Sequence, residues 1–374
     1  MKPYTQKKNC CGCGACGDIC PVNAIRMTQD GEGFLYPEIN KAVCIHCGRC
    51  EAVCPTGKKE TASNNQYFGA RARDERTRRA SSSGGVFPEL AQYVLRRGGT
   101  VFGASFEADM AVVHREARTP EELERLKTTK YVQSRMDSVY RRISSRLKEG
   151  EWVLFCGTPC QAHALRLFLG QPYPTLITAD LVCYGVPSPG VWKDYTGVLE
   201  HRYGGRLTDF SFRDKRAKDN GHTRAFVCGG REYAADLGED PFCAMFFGNY
   251  ILRPSCHACT YCTADRGSDF TLGDFWGIEK VRPEADDGMG NSLVILHTKQ
   301  ARDVWEEIGE RLDCFPCEKE DILQPRLAGP TPAAKGRGLF MVLRRILPAG
   351  VFFRLFAWTR GAAGRLRRLK GGVK

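Results

Sequence analysis

Five cysteines fall within the eleven residues from Cys10 to Cys20 of this 374-residue chain, in the stretch CCGCGACGDICP, and a proline closes the run. Thiols at this density are held either by disulfides or by metal. The segment Met1 to Asn9 is polar and runs straight into the cysteines, with no apolar h-region of the kind that opens a secreted chain. A cytoplasmic setting is therefore expected. Nineteen cysteines in a reducing compartment argue for metal ligation or redox chemistry over disulfides.

Cys10, Cys13, Cys16 and Cys20-Pro21 follow C-x2-C-x2-C-x3-C-P, and the spacing returns as Cys44, Cys47, Cys50 and Cys54-Pro55. Two copies of it read as a bacterial-type ferredoxin module carrying two 4Fe–4S clusters, in which the fourth thiolate of each run reaches across to the other cube. The expected ligand sets are Cys10, Cys13, Cys16 with Cys54, and Cys44, Cys47, Cys50 with Cys20. Glycines in the loops (Gly12, Gly14, Gly48) let the backbone approach the sulfides. Structural zinc also accepts four cysteines, but it does not account for repeated three-plus-one runs ending in proline. Cys11 reads as an extra thiol and His46 as an exposed neighbour. AIRMTQDGEGFLYPEIN, between the runs, reads as strand, glycine turn and strand.

The rest of the chain alternates strand and helix patterns, which indicates an α/β core. TVFGASF, MAVVHRE, WVLFCG and TLITADLVCYG read as strands. TPEELERLKTTK reads as a capped helix, TPCQAHALRLFL as a helix, and a further helix runs from SSSGGVF to Arg97. The expected architecture is a small α+β ferredoxin-like module (1–60), a linker (61–80), a larger α/β core (81–330) and a basic, partly amphipathic tail (331–374). The net charge of +12 belongs to that tail. Residues 322–374 hold twelve Lys or Arg and no Asp or Glu, so the rest of the chain sums to zero. A nucleic-acid binder is thereby disfavoured, since no recognition fold accompanies the charge.

SSSGGVF, at a helix N-terminus, has the makings of a phosphate cradle, although a serine-glycine loop that caps a helix is the commoner case. LRPSCHACTYC supplies Cys256, Cys259 and Cys262. Cys160 starts a helix and Cys183 ends a strand, so the two are expected to converge with that loop at the strand ends. Leu339 to Trp358 is mostly apolar, but Arg344, Arg345, Arg354 and Pro348 argue against a membrane span. Its first half sorts Leu339, Val342, Leu343, Ile346 and Leu347 to one side. That pattern fits an interfacial anchor on an anionic membrane face, or equally a helix pair docked on the core.

The segments SSSGGVF, KTTKYVQS, VLFCGTPCQ, DLVCYGVPSP, FSFRDK, NYILRPSCHAC and SDFTLGDFWGI, in this order, resemble the beta subunits of coenzyme F420-reducing hydrogenases and dehydrogenases. The resemblance implies an oxidoreductase core with FAD and a third 4Fe–4S cluster. It implies flavin contacts from Ser82, Ser83, Gly84 and Gly85, with Lys130, Gln133 and Ser134 nearby. It also implies cluster ligands Cys160, Cys183, Cys256 and Cys259, with Cys262 as a substitute. Cys156, where the family usually has serine, and Cys262 depart from the pattern and leave the fourth ligand open. The implied activity passes electrons between the clusters and FAD, and between FAD and an organic substrate or deazaflavin-like coenzyme. A relay subunit serving a partner enzyme is the alternative. A redox partner protein or soluble donor is expected, the small-molecule acceptor is open, and His163 and Tyr184 are candidate proton donors.

Overall fold

The structure is a computed structural model that describes residues 6–58, 64–215 and 223–357. The basic end of the chain, 358–374, lies outside the described residues.

The expected hairpin is present. β1 (Ile25–Gln29) pairs antiparallel with β2 (Leu35–Ile39), and Asp30 closes the turn by accepting from the Glu32 and Phe34 amides. Short helices Ala15–Asp18 and Arg49–Ala52 follow the two cysteine loops, each capped by a left-handed glycine.

The core is built on an eight-stranded mixed sheet. Its strands are β3 (Gln66–Ala72), β4 (Thr100–Phe106), β5 (Val112–Ala117), β6 (Val153–Gly157), β7 (Leu176–Leu181), β11 (Phe270–Asp274), β12 (Ser292–Leu296) and β13 (Leu312–Cys317). They lie in the order β13-β3-β12-β11-β7-β6-β4-β5. The middle four, β11, β7, β6 and β4, are mutually parallel, and antiparallel strands flank them on both sides. Alternate residues of these strands enter two different cores. Val101, Leu154 and Ile177 pack with helices Val86–Leu95 and Lys299–Ile308 on one face. Phe102, Val153, Phe155 and Leu176 pack with helices Val139–Lys148 and Pro159–Leu169 on the other. Both faces are buried, as a parallel sheet requires.

A second core lies beside the sheet. Helix Pro189–Tyr203 packs its Trp192 against a three-stranded antiparallel sheet of β8 (Leu207–Asp214), β9 (Thr223–Cys228) and β10 (Arg231–Asp236). Phe242 and Phe246 of helix Pro241–Phe247 complete the aromatic cluster. Met341, Phe352 and Phe353 of the tail are buried in it too, so the described part of the tail is docked on the body of the protein.

Two expectations are corrected here. From residue 64 on, the expected linker (61–80) is structured, its first residues lying outside the described ones: β3 lies between β12 and β13 in the sheet, and helix Glu75–Arg79 follows it. Gly69 in β3 leaves the room that the Phe315 ring of β13 fills. The capped helix expected over TPEELERLKTTK is confined to Pro120–Leu123, started by Thr119. Beyond it the Lys130 ammonium gathers the carbonyls of Arg125, Lys127 and Thr128, and the chain turns into a loop.

Candidate functional site

The C-terminal ends of the parallel strands β6, β7 and β11 open on one side of the sheet, where open α/β sheets place their sites. From β6 the chain enters helix Pro159–Leu169 through Thr158, whose side chain takes part in a capping box with Gln161. Cys160 therefore sits in that helix's first turn. β7 ends at Leu181, and Cys183 and Tyr184 follow. β11 ends at Asp274, with Trp276 just beyond and half exposed.

A cavity of about 780 Å3 fills this end of the sheet. Its lining includes Ser82, Ser83 and Gly85 at one part, and Cys11, Cys160, Cys183 and Tyr184 at another. The volume is of the size that cofactors and drug-sized ligands occupy. Gly85 takes a left-handed backbone, with φ of 92°, and starts helix Val86–Leu95, so the helix amides face the loop.

The individual side chains refine the cradle expected from the sequence. Ser82 Oγ accepts from the Thr129 amide at 2.8 Å, and Ser83 Oγ donates to the Asn291 carbonyl at 3.0 Å. Gly84 is not a ligand-facing residue. Its amide donates to Ser292 Oγ, its carbonyl accepts from Ala72, and a Cβ there would lie 2.3 Å from the Ala70 carbonyl oxygen. It is glycine because β3 passes against it. Lys130 lines the cavity, but its ammonium closes its own loop. Burial is the first cause of its lowered pKa, about 7. Ser134 is buried in a chain of bonds with His114 and Gln161.

Gln133 also lines the cavity, but its amide is engaged. Its amide nitrogen donates to the Cys11 carbonyl at 2.9 Å, and its oxygen accepts from Arg253 at 3.0 Å. It fastens the first cysteine loop to the core. Arg253, which the sequence did not single out, is fully buried at the same junction. It donates to the Cys10 carbonyl at 2.7 Å and to the Leu35 carbonyl at 2.9 Å, and its guanidinium lies 4.2 Å from the Tyr36 ring centre. Gly12 has φ of 70°, and a Cβ there would lie 2.7 Å from the guanidinium. The loop is thus shaped around this arginine. Tyr140 Oη donates to the Cys13 carbonyl, and Arg141 donates to that of Cys20.

The thiols fall into groups. Cys10, Cys13, Cys16 and Cys54 line one cavity together, so the fourth thiol of the second run does reach the first loop. In the core, Cys160, Cys183, Cys256, Cys259 and Cys262 feel one another electrostatically through Cys259. Burial first, and then the neighbouring thiols, push Cys183 up to about 11 and Cys256 up to about 12. A bound metal reverses that sign by deprotonating the thiols. Cys11, read as a bystander, lies against both Cys13 and Cys160, between the first loop and the core thiols. Among the described residues no three His, Cys, Asp or Glu side chains meet tightly enough to hold a single ion. Cys10, Cys13, Cys16 and Cys54, with Cys11 beside them, are the thiols gathered at the cavity of the first loop.

The two candidate proton donors are both engaged. His163 is buried, with Nδ1 2.6 Å from Tyr261 Oη, and packs the 256–262 loop onto helix Pro159–Leu169. It is outside the cavity lining, so its role is corrected to holding that loop. Tyr184 lines the cavity, but its hydroxyl donates to Asn249 Oδ1 at 2.7 Å. Behind the core thiols a buried network anchors the same loop. Arg266 donates to Asp180 Oδ1 at 2.8 Å and to the Leu181 carbonyl, and Ser268 and Thr271 donate to the Asp180 carboxylate.

Two family models match parts of this chain. Residues 9–58 match the model of the 4Fe-4S dicluster domain. Residues 150–318, from β6 to β13, match that of the C terminus of the coenzyme F420 hydrogenase/dehydrogenase beta subunit. No curated protein matches. Among solved structures, a chain of the F420-reducing NiFe hydrogenase complex from Methanosarcina barkeri is similar at a TM-score of 0.46. The two are 16% identical, over 78% of this chain and 90% of that one. The front of this chain thus matches a 4Fe-4S dicluster domain, and its residues 150–318 match the C-terminal domain of the coenzyme F420 hydrogenase/dehydrogenase beta subunit.

Proposed function

We propose that this protein is an iron–sulfur flavoprotein oxidoreductase, passing electrons between its 4Fe–4S clusters and FAD, and between FAD and an organic substrate or deazaflavin-like coenzyme. The observation that carries the reading is the single cavity at the ends of β6, β7 and β11, which has the Ser82, Ser83 and Gly85 loop and the thiols of Cys11, Cys160 and Cys183 in one lining. FAD supplies the exchange between one-electron and two-electron chemistry. The protein's part is to hold it. Ser82, Ser83 and the amides at the start of helix Val86–Leu95 would take the phosphates, and the apolar walls at Phe246 and Leu272 would exclude water. Cys160, Cys183, Cys256 and Cys259 would hold a third cluster, with Cys262 and Cys11 close enough to serve as the alternative ligand. A redox partner is part of the reading. Around the second cysteine run Val43, Ile45 and Cys47 are exposed, leaving that end open to a docking protein. The same exposed end suits a relay subunit that serves a partner enzyme, which remains the second reading.

Anaerobic purification with iron and flavin counts tests this. Three cubes give about twelve irons per chain, and about one FAD accompanies them. Gly85→Val, which forces a branched residue into a left-handed backbone at the cradle, is expected to lose the flavin and keep the iron. Colourless protein holding zinc would overturn the proposal.

The crossed ligand sets have their own test. Cys54→Ser is expected to erase the same electron paramagnetic resonance signal as Cys16→Ser, with about four irons lost in each. If Cys54→Ser instead matched Cys50→Ser, each run would bind its own cube and the crossing would be wrong.

A further inference from the structure

Helix Arg337–Ile346 is docked inside out. Leu339, Val342, Leu343 and Ile346, spaced i, i+3, i+4 and i+7, form one face, and that face is turned to solvent, with Leu339 66% and Ile346 70% exposed. The inward side carries Arg337 and Arg344 alongside Met341 and Phe340, whose ring packs against Tyr250 and Phe352. Arg337 pairs with Glu32 of the hairpin turn and donates to the Leu252 carbonyl. Arg344 donates to Asp194 at 2.7 Å. Met341 between them is buried. A surface helix of a soluble protein normally does the reverse. Residues 349–357 are helical again, and there too Phe352 and Phe353 are buried while Leu355 is exposed.

Charge says what the exposed face fits. Lys335, Arg345 and Arg354 are exposed around the apolar stripe. In the sequence no acidic residue follows Asp321, and Arg360, Arg365, Arg367, Arg368, Lys370 and Lys374 come after the described residues. Among the described residues no helix is long and apolar enough to cross a membrane.

We infer that this face lies on an anionic lipid bilayer, with Leu339, Val342, Leu343, Ile346 and Leu355 entering the interface and the basic residues pairing with headgroups. Apolar contact combined with basic residues is the pair of signals that holds a peripheral protein on a charged membrane. Because Arg337 ties the same helix to Glu32, and Arg344 ties it to Asp194, binding would also set how the dicluster domain sits over the surface. The inference does not depend on which cofactors the protein carries.

The test is co-sedimentation of the full-length, anaerobically purified protein with phosphatidylcholine vesicles, with and without one quarter phosphatidylglycerol, at low and high salt. Binding to the anionic vesicles, lost at high salt, is expected. The double variant Leu339→Gln with Ile346→Gln is expected to bind at least about tenfold more weakly. Removal of residues 358–374 should weaken anionic binding by at least about a hundredfold. Unchanged iron content in both variants shows that the core is intact. The inference is overturned if neither vesicle binds at low salt, or if the double variant binds as the parent does. It is equally overturned if the parent sediments as a dimer that the double variant breaks, without vesicle binding, since the face would then cover a second copy.

Discussion

Replacing Arg253 with methionine is expected to loosen the dicluster domain from the core and destabilise the chain by roughly 3 kcal/mol or more. The side chain is fully buried and makes hydrogen bonds to the Cys10 and Leu35 carbonyls and to the Gln133 amide. Methionine keeps much of the volume and removes every donor. At least two buried carbonyl acceptors lose their partner, each at a cost of about 1–3 kcal/mol. Lysine is not a sufficient replacement, because it lacks the planar fork that reaches three acceptors in different directions.

The charge has a second effect. Arg253 Nη2 lies 3.6 Å from Cys10 Sγ; burial pushes that thiol up to about 11 even with the guanidinium pulling it down. A cluster held by Cys10 gains negative charge on reduction, and hydrogen bonds to its sulfurs and nearby charge set its potential. Arg253→Met is therefore expected to make that cluster harder to reduce. Thermal melting and a spectroscopic redox titration read the two effects separately. A variant that melts and titrates like the parent would refute both.

The other large effect is expected from Arg266→Met. The Arg266–Asp180 pair is almost completely buried, and removing one member of such a pair typically costs about 3–5 kcal/mol because the other charge is left without its partner. Here the stranded carboxylate would be Asp180, at the end of β7, with Ser268 and Thr271 still donating to it. Arg266 also holds the Thr263 and Leu181 carbonyls, so the loop that presents Cys256, Cys259 and Cys262 would lose its tie to the sheet. The expected outcome is a lower melting temperature together with loss of the core iron, leaving about eight of about twelve irons per chain. If the variant keeps full iron, the loop is held by other contacts, such as that of His163 with Tyr261.

Much of this molecule could be read from local pattern. The two cysteine runs carry their meaning in spacing alone, and the hairpin between them follows from a glycine turn flanked by short strands. The parallel strands from Thr100 to Leu181 are short apolar runs bounded by turns and helices, and all of them are present. What escaped had weak local signals and distant partners. β3, QYFGARA, lies in a polar stretch, and its neighbours β12 and β13 begin more than two hundred residues later. Its strand form comes from pairing with them rather than from its own composition. The resemblance placed Gln133 and Lys130 near the flavin. Both line the cavity, but the structure engages the Gln133 amide with the Cys11 carbonyl and Arg253, and the Lys130 ammonium with its own loop's carbonyls.

The tail divides the two kinds of information most clearly. Periodicity sorted Leu339, Val342, Leu343, Ile346 and Leu347 from the arginines; the first four share the exposed face, while Leu347 is half-buried against the second core. Which side faces the protein could not follow from periodicity, because a helical pattern defines two faces and is silent on which one meets a partner. Glu32 and Asp194, remote in sequence, decide it by pairing with Arg337 and Arg344 and turning the apolar side out. The sequence by itself determined the ligand spacing, the strand and helix periods and the location of the charge, all of which act over a few residues. The tertiary structure decided where Cys11 falls, which polar side chains are engaged at the junction, and which face is left open. Those outcomes depend on burial and pairing between residues far apart in the chain.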